Sequence, residues 1–454
     1  MNRNNKDKFN VKEINMEKNQ KILLSLLKEE ITPATGCTEP VAVAYAVAKA
    51  KELATGNLLC IEVQVDSNIY KNGLMVTIPG TNEKGLVAAS VFGFLFGKAE
   101  RGFRVIRGLA SKEIQEARLL IAQNKVKVKL NREYKGLHIE ATVVTDIEKV
   151  RVVVLDQHLN IVSVERITKD QKFKPFLEKN KGQTVSCNQI QEYSIEDFLQ
   201  FSQTAPFEDL AFLEEGINMN LEIAREGLAI QSGVGFTLQK LIHEKIISDN
   251  MITRAQILCA AASEARMAGS RLPVMSTAGS GNHGITAFLT NYAVAEKQNI
   301  SKEALIRSLT LTNLITFFIK SYTGTLSAMC GCGVAAGIGA SAGVVSMMGG
   351  NKENILGALY NMVGSISGVI CDGAKEGCSY KLALASGWAV QSALLALKGT
   401  VINNTDGIVH QDFKQLFKNL GHVCNPGMIA TDQAILDVMI EKGKRIHNIN
   451  NINN

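Results

Sequence analysis

Ser327-Ala-Met-Cys330-Gly-Cys332-Gly-Val-Ala-Ala-Gly337 and, further on, Ile370-Cys371-Asp-Gly-Ala-Lys-Glu-Gly-Cys378-Ser379 together decide how the rest of the chain is read. Four of the nine cysteines stand in these two segments, set among glycine and alanine, which let backbone come close to a bulky group. Thiolates are soft ligands suited to iron-sulfur clusters, zinc and copper. The stretch from Cys330 to Cys378 holds no histidine and no paired C-x-x-C knuckles, which argues against a mixed Cys/His zinc site and against a zinc ribbon. It also lacks the compact C-x-x-C-x-x-C run of a ferredoxin, so electron transfer is poorly supported. Three sulfurs drawn from two separated loops would leave one iron of a 4Fe-4S cluster open, and an open metal position is where Lewis-acid chemistry takes place. The same four residues also read as small side chains of a packed helical core, because free cysteine is among the most buried residue types. Spacing alone leaves both readings standing.

Composition narrows the class. A chain of 454 residues with 46% hydrophobic and 20% charged residues is long enough for more than one domain and is globular, not disordered. The net charge of +6 is modest, and its lysines and arginines are scattered among 43 acids without an aromatic-interleaved basic stripe, so nucleic acid is not an expected partner. An odd cysteine count without a signal peptide points to a reducing cytoplasm. No charged residue lies between Lys320 and Lys352, which raises the question of a membrane span. Glycine and alanine dominate there, however, and Asp372, Lys375 and Glu376 interrupt the neighbouring segment, so a buried helix of a soluble protein is the expectation.

The order of patterns predicts an α+β protein: an N-terminal mixed module followed by a mostly α-helical, cluster-binding domain. Residues 1–17 read as a disordered arm, 18–166 as the α+β module, 167–191 as a polar connector, 192–441 as the helical domain and 442–454 as a disordered tail. Leucines at helical spacing mark residues 18–30 as an amphipathic helix. Alternating runs at Cys60–Asp66, Val126–Leu130, Leu137–Val143 and on both flanks of a turn at 156–160 read as strands, with a helical insert between them that starts from 82–93 and runs into an apolar segment, and a second amphipathic candidate at 111–123. Ser194-Ile-Glu-Asp opens a helix with a capping-box-like start.

Two loops carry further chemistry. In Thr32-Pro-Ala-Thr-Gly-Cys37-Thr-Glu39-Pro40 the cysteine falls at the start of an alanine-rich helix, with Thr38 as candidate cap, and unpaired N–H groups there favour a thiolate able to act as a base. In Ser276-Thr-Ala-Gly-Ser280-Gly281-Asn282-His283-Gly284 the glycines can turn backbone N–H groups toward an anion, and Ser280 and Asn282 add side-chain hydrogen bonds, so a carboxylate is a suitable guest. His283, alone in the loop, reads first as a hydrogen-bonded structural histidine. The turn Thr77-Ile-Pro79-Gly80-Thr81 reads as an ordinary loop, with exposed donors that could also reach a site.

Taken together, TPATGCTEP at 32–40, STAGSGNHGI at 276–285, LSAMCGCGVAAG at 326–337 and ICDGAKEGCSYK at 370–381 resemble the L-cysteine desulfidase family, related to the catalytic region of the iron-sulfur L-serine dehydratases. The resemblance covers residues from about 18 to about 440. It implies a 4Fe-4S enzyme, without pyridoxal phosphate, that breaks L-cysteine into sulfide, ammonia and pyruvate. By motif position it implies Cys37 as the catalytic base and Cys371 and Cys378 as two cluster ligands. The third is Cys332 if the glycine five residues beyond it is matched, or Cys330 if the Ala-x-Cys-Gly start is matched. Ser280, Gly281 and Asn282 would hold the substrate. The family's usual residue after the asparagine differs from His283, so no role is carried over to it. The expected partner is thus a small amino acid, with neither nucleic acid nor membrane, and a homo-oligomer is compatible with the sequence. Two other readings share these residues: elimination from L-serine or another β-substituted amino acid, and a non-catalytic cysteine-rich metal or sensor protein.

Overall fold

The computed structural model describes residues 19–106, 108–134, 136–174, 189–324 and 326–452. The arm expected over 1–17 and residues 175–188 of the expected connector lie outside these. The first described element, helix α1 over 19–30, carries the leucine stripe read from the sequence, but it sits in the helical region. Leu23 and Leu27 are fully buried there in the same apolar cluster as Phe198 and Ile217, worth about 1.5–3 kcal/mol each in apolar transfer. Strand β1 (Pro33–Ala34) follows and pairs antiparallel with β7 (Val274–Met275), again in the helical region. The α+β module therefore begins in space after Ala34 and not at residue 18, because the apolar face of α1 finds its partners among the later helices.

Helix α2 (Thr38–Leu53) opens the module. It lies on a sheet of five strands: β2 (Leu58–Val65), β3 (Val126–Leu130), β4 (His138–Thr145), β5 (Glu148–Leu155) and β6 (Ile161–Thr168). The order is β3-β2-β4-β5-β6, with β2 and β3 parallel and every other pair antiparallel. Alternation sends Ile61, Val63 and Val65 of β2 into one apolar cluster with Val43, Ala46 and Ala50 of α2, which lies over β4 and β5. Edge strand β3 exposes Lys127 and Lys129, which discourages pairing with another chain. Three more helices complete the module: α3 (Ser67–Gly73), α4 (Gly85–Phe96) and α5 (Ser111–Ala122). The sequence patterns did not mark α3.

The remainder is helical. It comprises α6 (Ile195–Thr204), α7 (Phe207–Leu210), α8 (Leu213–Ala229), α9 (Gly233–His243) and α10 (Met251–Met267). Then follow α11 (Gly281–Gln298), α12 (Lys302–Thr323), α13 (Ala335–Met347), α14 (Lys352–Ile366) and α15 (Cys378–Leu397). The chain closes with α16 (Phe413–His422) and α17 (Ile429–Ile452). Ser194 caps α6 in the expected capping box with Asp197. The uncharged segment forms α13, buried from Ala335 to Val345. Its small residues let α12 lie close: a Cβ on Gly343 would fall 2.1 Å from Thr312 Oγ1. Among the described residues no helix is long and apolar enough to cross a membrane. The tail expected over 442–454 is instead helical as far as Ile452.

Candidate active site

The two cysteine segments are joined by backbone. Met329 and Ile370 form an antiparallel bridge, Cys330 N–H donates to Val369 O at 2.8 Å, and Cys371 N–H donates to Ala328 O at 2.6 Å. Cys378 opens α15, with its N–H on Lys375 O at 2.9 Å. This zipper brings residues far apart in sequence to one wall. Opposite stands the loop before α2. Cys37 is the N-cap of that helix, a place expected of Thr38, whose hydroxyl donates instead to Glu39 Oε2. Gly36 holds a φ of 73°, where a Cβ would also lie 2.3 Å from Pro79, so the 77–81 turn props the Cys37 loop. The donors of that turn are used within the fold: Gly80 N–H meets Gly269 O at 2.8 Å.

Arg266, near the end of α10, stitches the Cys37 loop to the Gly-rich loop. Its Nη2 donates to Gly36 O at 2.6 Å and its Nη1 to Asn282 Oδ1 at 2.9 Å. A cavity of about 70 Å³ lies between these loops, lined by Cys37, Ser280, Asn282 and all four of Cys330, Cys332, Cys371 and Cys378. Gly281 does not line it. The space beside its Cα is taken by Arg266 and Val274, with a Cβ there 2.5 Å from Arg266 Nε. The glycine is thus needed for the arginine to pass, whereas the sequence reading had reserved it for a substrate.

A second cavity of about 70 Å³ adjoins the first. Both are lined by Thr38, Glu39, Asn72, Ser280, Cys332 and Cys371. The second adds His158, His283 and Lys320. Its floor is Gly331, where a Cβ would lie 2.4 Å from His283 Nε2 and 3.4 Å from Lys320 Nζ. A third cavity of about 260 Å³ shares His158, Ala278, Gly279 and Lys320 with the second and reaches the exposed Glu29 and Gln157. The three follow one another by shared walls, from Glu29 and Gln157 at the surface to the cysteines.

Enclosure dominates the electrostatics. Burial pushes the Cys37 thiol up to about 12, against the pull of the Arg266 charge, with Glu39 and Cys378 adding to the rise. The helix start therefore does not by itself make Cys37 a thiolate, because the side chain is 4% exposed and the charged form is poorly solvated. Its Sγ donates to Met267 Sδ at 3.9 Å. Burial, helped by the Lys320 charge, pushes His283 down to about 3, leaving a neutral ring whose Nδ1 lies 3.1 Å from Thr277 O. That is the structural role read for it. Cys330 is lowered because the Cys332 thiol hydrogen-bonds to it, while burial pushes Cys371 up to about 11.

Four thiols around one cavity make a soft donor set. Among the described residues, no three His, Cys, Asp or Glu side chains are gathered for a single metal ion. Sulfurs spread around a cavity suit a group with several metal centres, each taking its own thiolate. The residues present therefore fit an iron-sulfur cluster by their chemistry. Sequence reasoning missed Asn72, Arg266, Lys320 and His158, which complete the walls. The available signals were charges beside apolar runs: Arg266 after the Cys259-Ala-Ala-Ala run, and Lys320 at the edge of the uncharged segment.

Residues 100–437 match the family described as Serine dehydratase alpha chain, a span that holds the Gly-rich loop and the four cavity cysteines of 330–378 but not Cys37. The chain is 43% identical to a UPF0597 protein of Clostridium tetani (strain Massachusetts / E88), over 93% of this chain and 98% of that one. It is 42% identical to a UPF0597 protein of Caldanaerobacter subterraneus subsp. tengcongensis, over 94% and 100%. A UPF0597 protein of Clostridioides difficile (strain 630) is 39% identical over 93% and 100%. With four of the five cysteines that line the cavity inside the matched span, the chain belongs to the serine dehydratase alpha chain family, a family of iron-sulfur lyases.

Proposed function

We propose that the chain is an L-cysteine desulfidase, converting L-cysteine to sulfide, ammonia and pyruvate by β-elimination with a 4Fe-4S cluster. One observation carries this reading: the thiol of Cys37 shares a small enclosed cavity with Cys330, Cys332, Cys371 and Cys378. Cys371, Cys378 and one of Cys330 and Cys332 would hold the cluster. When bound, it supplies a Lewis acid that stabilises negative charge on the substrate and makes sulfide a better leaving group.

The protein's own groups supply the rest. Cys37 takes the Cα proton as its thiolate, and Arg266 is the cation whose charge favours that form. Ser280 and Asn282 stand at the cavity wall to hold the substrate in register, with Asn282 itself fixed by Arg266. The depth of the cavity excludes water while the C–S bond breaks. Loss of sulfide leaves aminoacrylate, which tautomerises and takes up water to give ammonia and pyruvate.

The family match favours one second reading, in which the same groups eliminate water from L-serine. Purification without oxygen, analysis of iron and acid-labile sulfide, and product assays on both amino acids separate the two. Iron with sulfide release from L-cysteine supports the proposal. Ammonia and pyruvate from L-serine alone would replace it with the dehydratase. An iron-free, stable, inactive protein would overturn both.

A further inference from the structure

Glu39 lies two residues beyond Cys37, is 8% exposed and lines both inner cavities. Two neutral donors fix it: Thr38 Oγ1 donates to Oε2 at 3.2 Å, and Asn72 Nδ2 donates to Oε1 at 2.9 Å. A carboxylate has about four lone-pair sites, so acceptor capacity remains. Among the described residues no cationic side chain pairs with it. A buried carboxylate held only by neutral groups stands in need of a cation.

The second cavity adds an independent sign of a ligand. His158, carried on the turn between β5 and β6, is 4% exposed, and its Nε2 has no hydrogen-bond partner among the described residues. Buried polar atoms are nearly always satisfied, so such an atom on a cavity wall marks where a polar guest belongs. Lys320 adds a cationic group to the same wall. One small chamber thus presents an anion, a cation and an open imidazole nitrogen, and it adjoins the cysteine-lined cavity. A zwitterionic α-amino acid has the complementary pair of charges.

We propose that Glu39 receives the α-ammonium group of the substrate and Lys320 its α-carboxylate, so that the site selects α-amino acids with a free amine over the matching deaminated acids. The proposal rests on the desulfidase reading for the reaction but not for the recognition. In the wild-type enzyme, 3-mercaptopropionate, which lacks the amine, should bind at least about tenfold more weakly than L-cysteine, since charge-assisted hydrogen bonds are the strong ones. Glu39→Gln, nearly isosteric, should raise the KM for L-cysteine about 10- to 100-fold and leave inhibition by 3-mercaptopropionate within about twofold. Lys320→Met should weaken 3-mercaptopropionate about tenfold and leave cysteamine, which lacks the carboxylate, unchanged.

Equal weakening of L-cysteine and 3-mercaptopropionate by Glu39→Gln would overturn the proposal, because Glu39 would then act only by propping Thr38 and Asn72. So would wild-type binding of 3-mercaptopropionate as tight as that of L-cysteine, a comparison that needs no variant. Calorimetric binding of L-alanine against propionate separates recognition from reaction. If no sulfide is released but the wild type binds only L-alanine and Glu39→Gln loses that preference, the ammonium site stands and the desulfidase reading falls. If sulfide is released and the two ligands bind alike, the reverse holds.

Discussion

The thiol at the start of α2 meets two opposed influences, and at Cys37 burial outweighs the Arg266 charge, raising it to about 12. A base so placed is protonated at rest and becomes active only when a neighbouring positive charge offsets its desolvation. Cys37→Ser keeps the size but leaves a hydroxyl that hardly ionises near neutrality. Turnover and exchange of the substrate Cα proton with solvent deuterium should both fall by about 10²–10⁴-fold, with iron content unchanged. Loss of iron would make Cys37 a ligand, and wild-type turnover would place the base elsewhere. Single alanine replacements of Cys330, Cys332, Cys371 and Cys378 test the ligand set by iron analysis. Three should lose iron and activity, and one of the Cys330/Cys332 pair should keep both. Retention of iron without Cys371 or Cys378 would sink the assignment. The cysteines were legible because thiols are rare and their chemistry narrow. Glu39, Arg266 and Lys320 were not, because a charged residue in sequence reads as surface until the fold buries it.

Among the elements, α3 shows how a short helix escapes a sequence reading yet shapes the site. Its residues, Ser67-Asn-Ile-Tyr-Lys-Asn-Gly73, are too few and too polar for a periodic pattern, whereas the alternating strands β3 and β6 announced themselves. Asp66 caps it, accepting from Asn68 N at 2.7 Å and Ile69 N at 3.2 Å, while His138 N donates to its other oxygen at 2.9 Å. The helix then presents Asn72 to Glu39 and, at 3.8 Å, to Cys371. Burial raises Asp66 from 3.8 to about 6, with the three N–H donors pulling the other way. The native state therefore binds the proton more tightly than the unfolded chain does. From this group alone, stability is greatest below about pH 4, falls as pH rises to about 6, and is flat beyond. Asp66→Asn keeps an acceptor for the cap and removes the titration, at the cost of the bond from His138. The stability of the wild type relative to the variant, from urea unfolding, should fall by about 2 kcal/mol between pH 4 and pH 6.5. A difference independent of pH would show that Asp66 stays ionised in the native state.

Over the whole molecule, the cavity lies on the seam between the sheet module and the helical region, so its geometry depends on how firmly the two are held. The sequence showed both regions through their different periodicities but not the seam, because contacts between distant segments leave no local pattern. Even the allocation of α1 failed for this reason, since its leucines say that it is buried and not against what. The last helix is one of the clasps. Asp432 of α17 pairs with Lys71 of α3, and Asp437 pairs with Arg132 beyond β3. The second pair is exposed and adds little, whereas Lys71 is 1% exposed, and its carbonyl lies where a Cβ on Gly373 of the Cys371–Cys378 loop would strike it. Asp432→Asn leaves the Lys71 ammonium buried without its counter-charge and should destabilise the protein by about 3–5 kcal/mol. Lys71→Met with Asp432→Leu removes both charges and fills similar volume. That double variant should recover most of the loss, as a buried ion pair replaced by well-packed apolar groups is often neutral. Thermal unfolding of the three proteins by calorimetry measures the loss and its recovery, and iron retention on standing reports whether the clasp also steadies the cysteine loop. If Asp432→Asn unfolds with the wild type, α17 does not bear on the seam. If the double variant is as unstable as the single one, packing of the lysine stem and not its charge holds α3 in place.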